Sequence, residues 1–255
     1  MRLLVGTGFK MNLTSSEARR YFDAFVPLVA SLTACDLFVL PPFTSIWVAR
    51  ERLSGSNVAW GAQDVHPEDG GAHTGDISAA MLSDLGCTYV EVGHSERRRD
   101  HGETDASVAA KVAQILRHQM TPIVCVGEPS RGLVAALDFV LSQVRTVCEL
   151  VRGPERGRVI FAYEPVWAIG IGAMPADPSH VGAMHSGIHE LLLSKAGGGH
   201  DSRVIYGGSV DVSSARPLLD EHGVDGLFVG RAALDPHQLA AIAAVADRVA
   251  ASSPG

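Results

Sequence analysis

Three polar side chains follow short apolar runs at distant points of the sequence, and together they could transfer protons. Lys10 follows the first apolar run, His94 the fourth and Glu164 the sixth. A carboxylate at the end of a hydrophobic strand loses hydration, which raises its pKa toward neutrality and suits a general base. A histidine at the positive end of a helix stays neutral and can donate a hydrogen bond to an oxygen. The lysine would supply positive charge.

Each of these residues, taken singly, also has an ordinary structural interpretation. Lys10 could be a solvated lysine at a helix start, Asn12 a turn or capping residue, and His94 a structural residue of a glycine-flanked loop. Glu96 is a fourth member of the candidate catalytic group. We expect it to pair with Lys10 or with the arginines that follow it, rather than to transfer a proton.

Glycine-rich turns follow the last two apolar runs. They are Gly-Gly-Ser at 207–209 and Gly-Arg at 230–231. Small residues at helix starts leave backbone N–H groups free to face a phosphate, and two such turns match the usual phosphate position of barrel enzymes. The segment 165–167 (Pro-Val-Trp) and the glycines after it predict a rigid hinge joined to a mobile lid.

The elements that must position these residues alternate along the whole chain. Short runs rich in β-branched and aromatic residues predict strands buried on both faces, as in a parallel sheet. Amphipathic segments lie between them; one begins with a Thr14–Glu17 capping box, and the last begins near Pro236. Eight strands, each followed by a helix, predict a single-domain (β/α)₈ barrel over residues 1–255, with a doubly wound open sheet as the alternative. The apolar runs are residues 3–5, 37–40, 58–60, 89–92, 123–126, 159–162, 204–206 and 227–229.

Composition and charge argue against several classes of binding partner. The chain has 255 residues and a net charge of -7, which argues against nucleic acid or an acidic membrane as the main partner. Its four cysteines are widely spaced and form no CxxC pair, which argues against a zinc site. We expect them to be reduced, in a cytoplasmic protein. The N-terminal apolar run is too short for a signal peptide, and no stretch is long enough to span a bilayer.

With these residues in view, the chain resembles the triosephosphate isomerase family over essentially its whole length. Each matching segment is modestly specific, but five in the right order on the right strands are highly specific. The segments are FKMN at 9–12, GHSERR at 93–98, CVGE at 125–128, AYEPVWAIG at 162–170 and YGGSV at 206–210.

The resemblance implies a role for each catalytic candidate. Glu164 would be the base that removes a proton from the carbon next to a carbonyl, and His94 the neutral group that polarises the enediolate oxygens, a division of labour known for this family. Lys10 would supply positive charge to the substrate. No metal or organic cofactor is implied.

The resemblance also implies a phosphate site and an assembly. Gly170, Ser209 and Gly230 would offer backbone N–H groups to the phosphate. The loop 63–75 resembles the arm by which members of the family insert into a twin subunit, so we expect a homodimer. The alternative is a surface loop in a monomer.

Three departures from the family pattern fall at the site. Gly8 stands where the family has an asparagine that reaches the substrate, which removes a hydrogen-bond donor and leaves a space beside Lys10. The lid segment 169–178 (IGIGAMPADP) differs from the usual sequence and is one residue longer. Arg231 replaces a glycine, and it could reach a phosphate, close the barrel mouth or simply face outward.

These departures resemble the erythrulose-phosphate isomerases within the family. L-erythrulose 1-phosphate carries one hydroxymethyl group more than dihydroxyacetone phosphate, on the reacting carbon, and the space at Gly8 would receive it. We therefore hypothesise isomerisation to D-erythrulose 4-phosphate. The alternative is the three-carbon reaction between dihydroxyacetone phosphate and glyceraldehyde 3-phosphate. A non-catalytic barrel that binds a phosphorylated metabolite is a further alternative, though the joint presence of Lys10, His94 and Glu164 argues against it.

Overall fold

The strands of the computed structural model, which describes residues 2–151, 153–170, 175–195 and 201–252, close into a barrel. Each strand pairs in parallel with the next, and the eighth pairs with the first. The predicted closed barrel is confirmed over the open sheet. The strands are β1 (Leu4–Gly8), β2 (Asp36–Leu40), β3 (Val58–Ala62), β4 (Tyr89–Val92), β5 (Thr121–Val126), β6 (Ile160–Tyr163), β7 (Val204–Tyr206) and β8 (Gly226–Val229).

Helices follow the strands and pack outside them. At least one α-helix lies in the connection after every strand, and the connection after β4 holds two. The helices are α1 (Ser15–Val29), α2 (Ile46–Leu53), α3 (Ala79–Asp84), α4 (Ser95–His101), α5 (Asp105–Arg117), α6 (Leu133–Leu150), α7 (Pro178–Lys195), α8 (Val212–Leu219) and α9 (Pro236–Ser252). None of the helices described is long and apolar enough to cross a membrane.

The strands are continuous apolar runs because both of their faces are buried. One set of side chains fills the barrel interior, and the other packs against the helices. The interior set is Leu4, Phe38, Leu40, Ile123, Cys125, Ile160, Ala162, Ile205 and Phe228. All four cysteines are buried thiols that form no disulfide.

Local signals set the ends of several helices. Helix α1 begins with the predicted capping box, in which the Thr14 hydroxyl accepts from the Glu17 N–H and the Glu17 carboxylate accepts from the Thr14 N–H. Its buried residues include Phe22 and Phe25, as its pattern predicts. Helix α9 begins at Pro236, also as predicted.

A buried ion network fixes the loops that carry the catalytic candidates. The Lys111 ammonium on α5 donates to Asp64, just after β3, at 2.7 Å, and to Glu103 at 2.5 Å. Arg97 on α4 contacts both carboxylates, at 2.7 Å and 2.6 Å. The network therefore holds α4, whose start positions His94, against the loop after β3.

Replacing the buried cation of this network tests its contribution to stability. We expect Lys111→Met to lower the free energy of unfolding by about 3 kcal/mol, because two buried carboxylates lose a partner. Arg117→Met removes an exposed cation from the same helix and should change it by less than about 0.5 kcal/mol. Urea denaturation of both variants measures the difference, and equal losses would contradict a special role for Lys111.

Candidate active site

The carboxyl ends of the strands surround a pocket of about 610 Å³. Parallel strands in a closed barrel all end at the same face, so the loops that follow them meet there. Residues that are up to 226 positions apart in sequence, Gly8 and Leu234, line this one pocket. Every predicted site residue is among them: Gly8, Lys10, His94, Glu96, Glu164, Gly170, Ser209, Gly230 and Arg231.

The Glu164 carboxyl lies directly after β6 and is 5% exposed. Its Oε2 atom is buried and accepts no hydrogen bond within the described chain. Gly207 packs against it so closely that a β-carbon at position 207 would lie 2.5 Å from Glu164 Cγ, which requires glycine there. Burial, reinforced by the neighbouring Glu91 carboxylate, raises the pKa of Glu164 well above its usual range. The group is therefore a strong base at the pocket wall.

His94 is the N-cap residue of α4, and its ring is held in one tautomer. Nδ1 accepts a hydrogen bond from the Glu96 N–H at 3.1 Å, so the proton of the neutral ring is on Nε2. Nε2 lies 3.3 Å from Glu164 Oε2 and can donate to an oxygen in the pocket. Burial, followed by the positive charge of Lys10, lowers the pKa of His94 to about 4. The ring is therefore neutral at physiological pH, and burial is the largest cause of the lowered pKa.

Lys10 and Glu96 form the ion pair expected from the sequence. The ammonium donates to Glu96 Oε1 at 2.8 Å, and both side chains are partly exposed at the pocket rim. Burial opposes ionisation of Glu96, but the hydrogen bond from Lys10 and nearby positive charges outweigh it and lower the pKa. Lys10 has a left-handed backbone (φ 53°), and its carbonyl accepts a hydrogen bond from Gln63 at 3.1 Å. Gln63 thus helps to hold Lys10 in a strained conformation.

The glycine-rich turns lie on the opposite side of the barrel from β4. The Ser209 hydroxyl donates to the Ala168 carbonyl at 3.0 Å, which ties the turn after β7 to the hinge after β6. Gly230 begins the short 3₁₀-helix Arg231–Leu234, and the Arg231 side chain is exposed at the pocket rim. Gly170 adopts a φ of 110°, a conformation that favours glycine. Residues 171–174 of the predicted lid lie outside the described residues.

The hinge before the lid is attached to a buried carboxylate that the sequence interpretation did not assign. Glu128 accepts hydrogen bonds from the Trp167 indole at 2.6 Å and from the Tyr163 hydroxyl at 3.1 Å. Its carbonyl also accepts from the Val166 N–H at 3.1 Å. These bonds attach the Pro-Val-Trp segment to the loop after β5. Glu128 belongs to the segment CVGE at 125–128, which resembles the family, but the resemblance alone assigned no role to this residue.

Glu91 is the pocket residue that sequence reasoning missed. It lies on β4, is 5% exposed and points into the barrel, where the Cys125 thiol donates to its Oε1 at 3.5 Å. A carboxylate oxygen of Glu91, a ring nitrogen of His94 and a carboxylate oxygen of Glu164 all lie within 4.8 Å of one another. Burial raises the pKa of Glu91 to about 7. The available signal was a charged residue between two valines of an apolar strand.

A buried base, a neutral imidazole donor and a lysine at the mouth of an eight-stranded α/β barrel define a proton-transfer enzyme. A family model described as triosephosphate isomerase matches residues 3–246. The chain belongs to the triosephosphate isomerase family and is an isomerase.

Individual relatives support this membership. The triosephosphate isomerase of Thermus thermophilus is 45% identical, over 96% of this chain and 99% of its own. The L-erythrulose-1-phosphate isomerase of Rhizobium meliloti is 41% identical, over 91% and 92% of the two chains. The solved structure of triosephosphate isomerase from Bartonella henselae superposes with a TM-score of 0.87 at 33% identity, over 96% and 99%. The predicted family is confirmed. The narrower resemblance to erythrulose-phosphate isomerases is supported by one of these three relatives.

Replacing the proposed base tests its role. We expect Glu164→Gln to lower kcat by about 100-fold to 10,000-fold, because the amide keeps the shape but cannot accept the proton. The free energy of unfolding should not fall, since an uncharged group replaces a buried ionisable one. Steady-state kinetics and thermal unfolding measure both, with Glu149→Gln on the exposed face of α6 as control. Near-normal kcat in Glu164→Gln would show that another group is the base.

Proposed function

We propose that this chain moves a carbonyl group along a short phosphorylated sugar through an enediolate, without a cofactor. The observation that carries the proposal is the pair formed by Glu164 and His94. An unpaired buried carboxyl oxygen and an imidazole N–H lie 3.3 Å apart at the wall of one pocket. That pair can remove a proton from carbon while it stabilises the charge that develops on the neighbouring oxygen.

The reaction follows from these two groups. Glu164 removes a proton from the carbon next to the carbonyl, and the C–H electron pair becomes the double bond of the enediolate. The His94 Nε2–H donates to the former carbonyl oxygen, and the proton of the adjacent hydroxyl restores the ring. Glu164 then returns its proton to the former carbonyl carbon. All atoms are conserved and only the carbonyl position changes.

Positive groups around the pocket suit an anionic substrate. The Lys10 ammonium lies at the rim, where it can stabilise both the phosphate and the enediolate charge. The backbone N–H groups of Gly170, Ser209 and Gly230 can receive the phosphate, with Arg231 beside them. A barrel that only bound a phosphorylated metabolite would have no use for a buried base opposite this phosphate site.

The three-carbon reaction is the substrate assignment that the relatives favour. Triosephosphate isomerases from Thermus thermophilus and Bartonella henselae cover nearly the whole chain. We therefore propose the interconversion of dihydroxyacetone phosphate and glyceraldehyde 3-phosphate as the first activity to test.

A four-carbon substrate is the second candidate, and a specific observation favours it. Gly8 supplies no side chain to the pocket, but the space predicted beside it is not open, because the Glu91 carboxyl fills part of it and places a polar group at the pocket wall. A relative from Rhizobium meliloti, 41% identical to this chain, is named L-erythrulose-1-phosphate isomerase, which supports the four-carbon candidate. L-erythrulose 1-phosphate to D-erythrulose 4-phosphate would be the reaction.

A paired assay of the purified protein compares the two candidates. If the three-carbon reaction is the native one, we expect kcat/KM on glyceraldehyde 3-phosphate to approach the diffusional range of about 10⁸ M⁻¹s⁻¹ and to exceed that on L-erythrulose 1-phosphate. The opposite order would assign the four-carbon reaction. Turnover of neither sugar would refute the proposed isomerase.

We also propose that two copies of the chain pair through the loop 63–75. Met11, between the site residues Lys10 and Asn12, is 97% exposed, and Trp47 is 62% exposed. Large apolar side chains this exposed are commonly covered by a partner. A second copy, inserting its own loop 63–75 beside Met11, would cover them and shield the catalytic lysine from solvent.

The assembly is tested by placing a charge at this surface. We expect Met11→Glu to shift the protein from dimer to monomer in sedimentation equilibrium, because burying an unpaired carboxylate at the interface is costly. Leu193→Glu, an equally apolar exposed site on α7, is the control and should leave the mass unchanged. A wild-type protein that sediments as a monomer would contradict the dimer.

A further inference from the structure

The volume beside Gly8 is partly filled by a carboxyl group. A β-carbon built at position 8 would lie 3.0 Å from Glu91 Oε2 and 3.5 Å from Gln63 Oε1. A side chain at position 8 would therefore require the Glu91 carboxyl to shift. The two residues lie on β1 and β4 and are fitted to each other, so Gly8 and Glu91 form one structural unit of the pocket floor.

The Glu91 carboxyl has unused hydrogen-bonding capacity directed at this space. Within the described chain, its protein hydrogen bond comes from the weakly polar Cys125 thiol. Glu91 lines the pocket although it is 5% exposed. A buried carboxyl group with so few partners costs free energy unless a ligand satisfies it. The floor of the pocket is therefore built for a polar group of the substrate.

The charges around Glu91 determine its form when the enzyme is ready to react. Acidic groups near it come from three elements: Glu164 after β6, Glu96 on α4 and Asp64 after β3. The nearby basic groups are the Lys10 ammonium and the neutral His94 ring. Two buried carboxyls this close oppose each other's ionisation, so an ionised Glu91 makes Glu164 harder to ionise. In either protonation state the Glu91 carboxyl offers an acceptor to a hydroxyl group, and its protonated form also offers a donor.

We infer that Glu91 recognises a hydroxymethyl group on the reacting carbon of the substrate, donating a hydrogen bond to its hydroxyl and accepting one from it. The inference rests on the second candidate of the proposed function, the four-carbon ketose phosphate, and adds the residue that would select it. The phosphate turns after β7 and β8 lie across the barrel from β4, so the end of the substrate remote from phosphate meets Glu91. A three-carbon substrate has only hydrogen at that position and leaves the carboxyl without a partner.

The structure also shows which variants test this. Gly8→Asn alone is unsuitable because its side chain would collide with Glu91. Glu91→Gln keeps the shape and both hydrogen-bonding functions, whereas Glu91→Leu removes them at similar volume. Thermal unfolding of each variant establishes that it is folded.

The readout is the ratio of kcat/KM on L-erythrulose 1-phosphate to kcat/KM on glyceraldehyde 3-phosphate. We expect Glu91→Leu to lower this ratio by roughly 10-fold to 100-fold, the range for losing one or two hydrogen bonds to a buried group. Glu91→Gln should stay within about threefold of the wild-type ratio. A ratio unchanged in Glu91→Leu would overturn the inference.

The pH profile of Glu91→Gln supplies a second readout that does not depend on the leucine variant folding. The ionised form of Glu91 raises the pKa of Glu164, so removing it should let Glu164 ionise at lower pH. The acidic limb of kcat/KM should therefore move to lower pH in Glu91→Gln. An unmoved limb would contradict the electrostatic coupling between Glu91 and Glu164.

The outcomes separate the inference from the function beneath it. Wild-type protein that isomerises only the three-carbon sugar overturns the role of Glu91 and leaves the isomerase proposal standing. Protein that isomerises neither sugar overturns both. Protein that prefers the four-carbon sugar, with the preference lost in Glu91→Leu and kept in Glu91→Gln, supports both.

Discussion

Keeping a carboxyl group out of water without a cation beside it is the constraint around which this pocket is built. Glu164 lies where burial raises its pKa, and its near neighbours are an imidazole that stays neutral and a second carboxyl. The ammonium of Lys10 is directed to Glu96 at the rim instead. The base thus keeps its affinity for a proton, while positive charge remains available to the substrate.

The same constraint connects catalysis with substrate choice. Because Glu91 and Glu164 compete for ionisation, the group that contacts the far end of a substrate also affects the base. Residues placed only to enlarge a pocket would not have this effect. Selectivity and proton affinity at this barrel mouth are consequently properties of one coupled pair of carboxyls.

The sequence predicted those parts of the structure that depend on neighbours in the chain. Apolar runs of three or four residues sufficed for the strands, and the Thr14–Glu17 box was visible at a spacing of three. The barrel predicted from the sequence also placed the nine site candidates at one face, because parallel barrel strands all end there. What the sequence could not supply was the contact between Gly8 and Glu91, which are 83 positions apart and meet only across the closed barrel. From the sequence, Gly8 therefore predicted an empty space, and Glu91 was not identified as a site residue.

The contact between Gly8 and Glu91 also makes these two positions interdependent. A β-carbon at position 8 would lie 3.0 Å from Glu91 Oε2, so any side chain added there requires the carboxyl to shift. The free-energy effects of substitutions at positions 8 and 91 are therefore expected to be non-additive, although the two residues lie on strands that are not adjacent in the barrel.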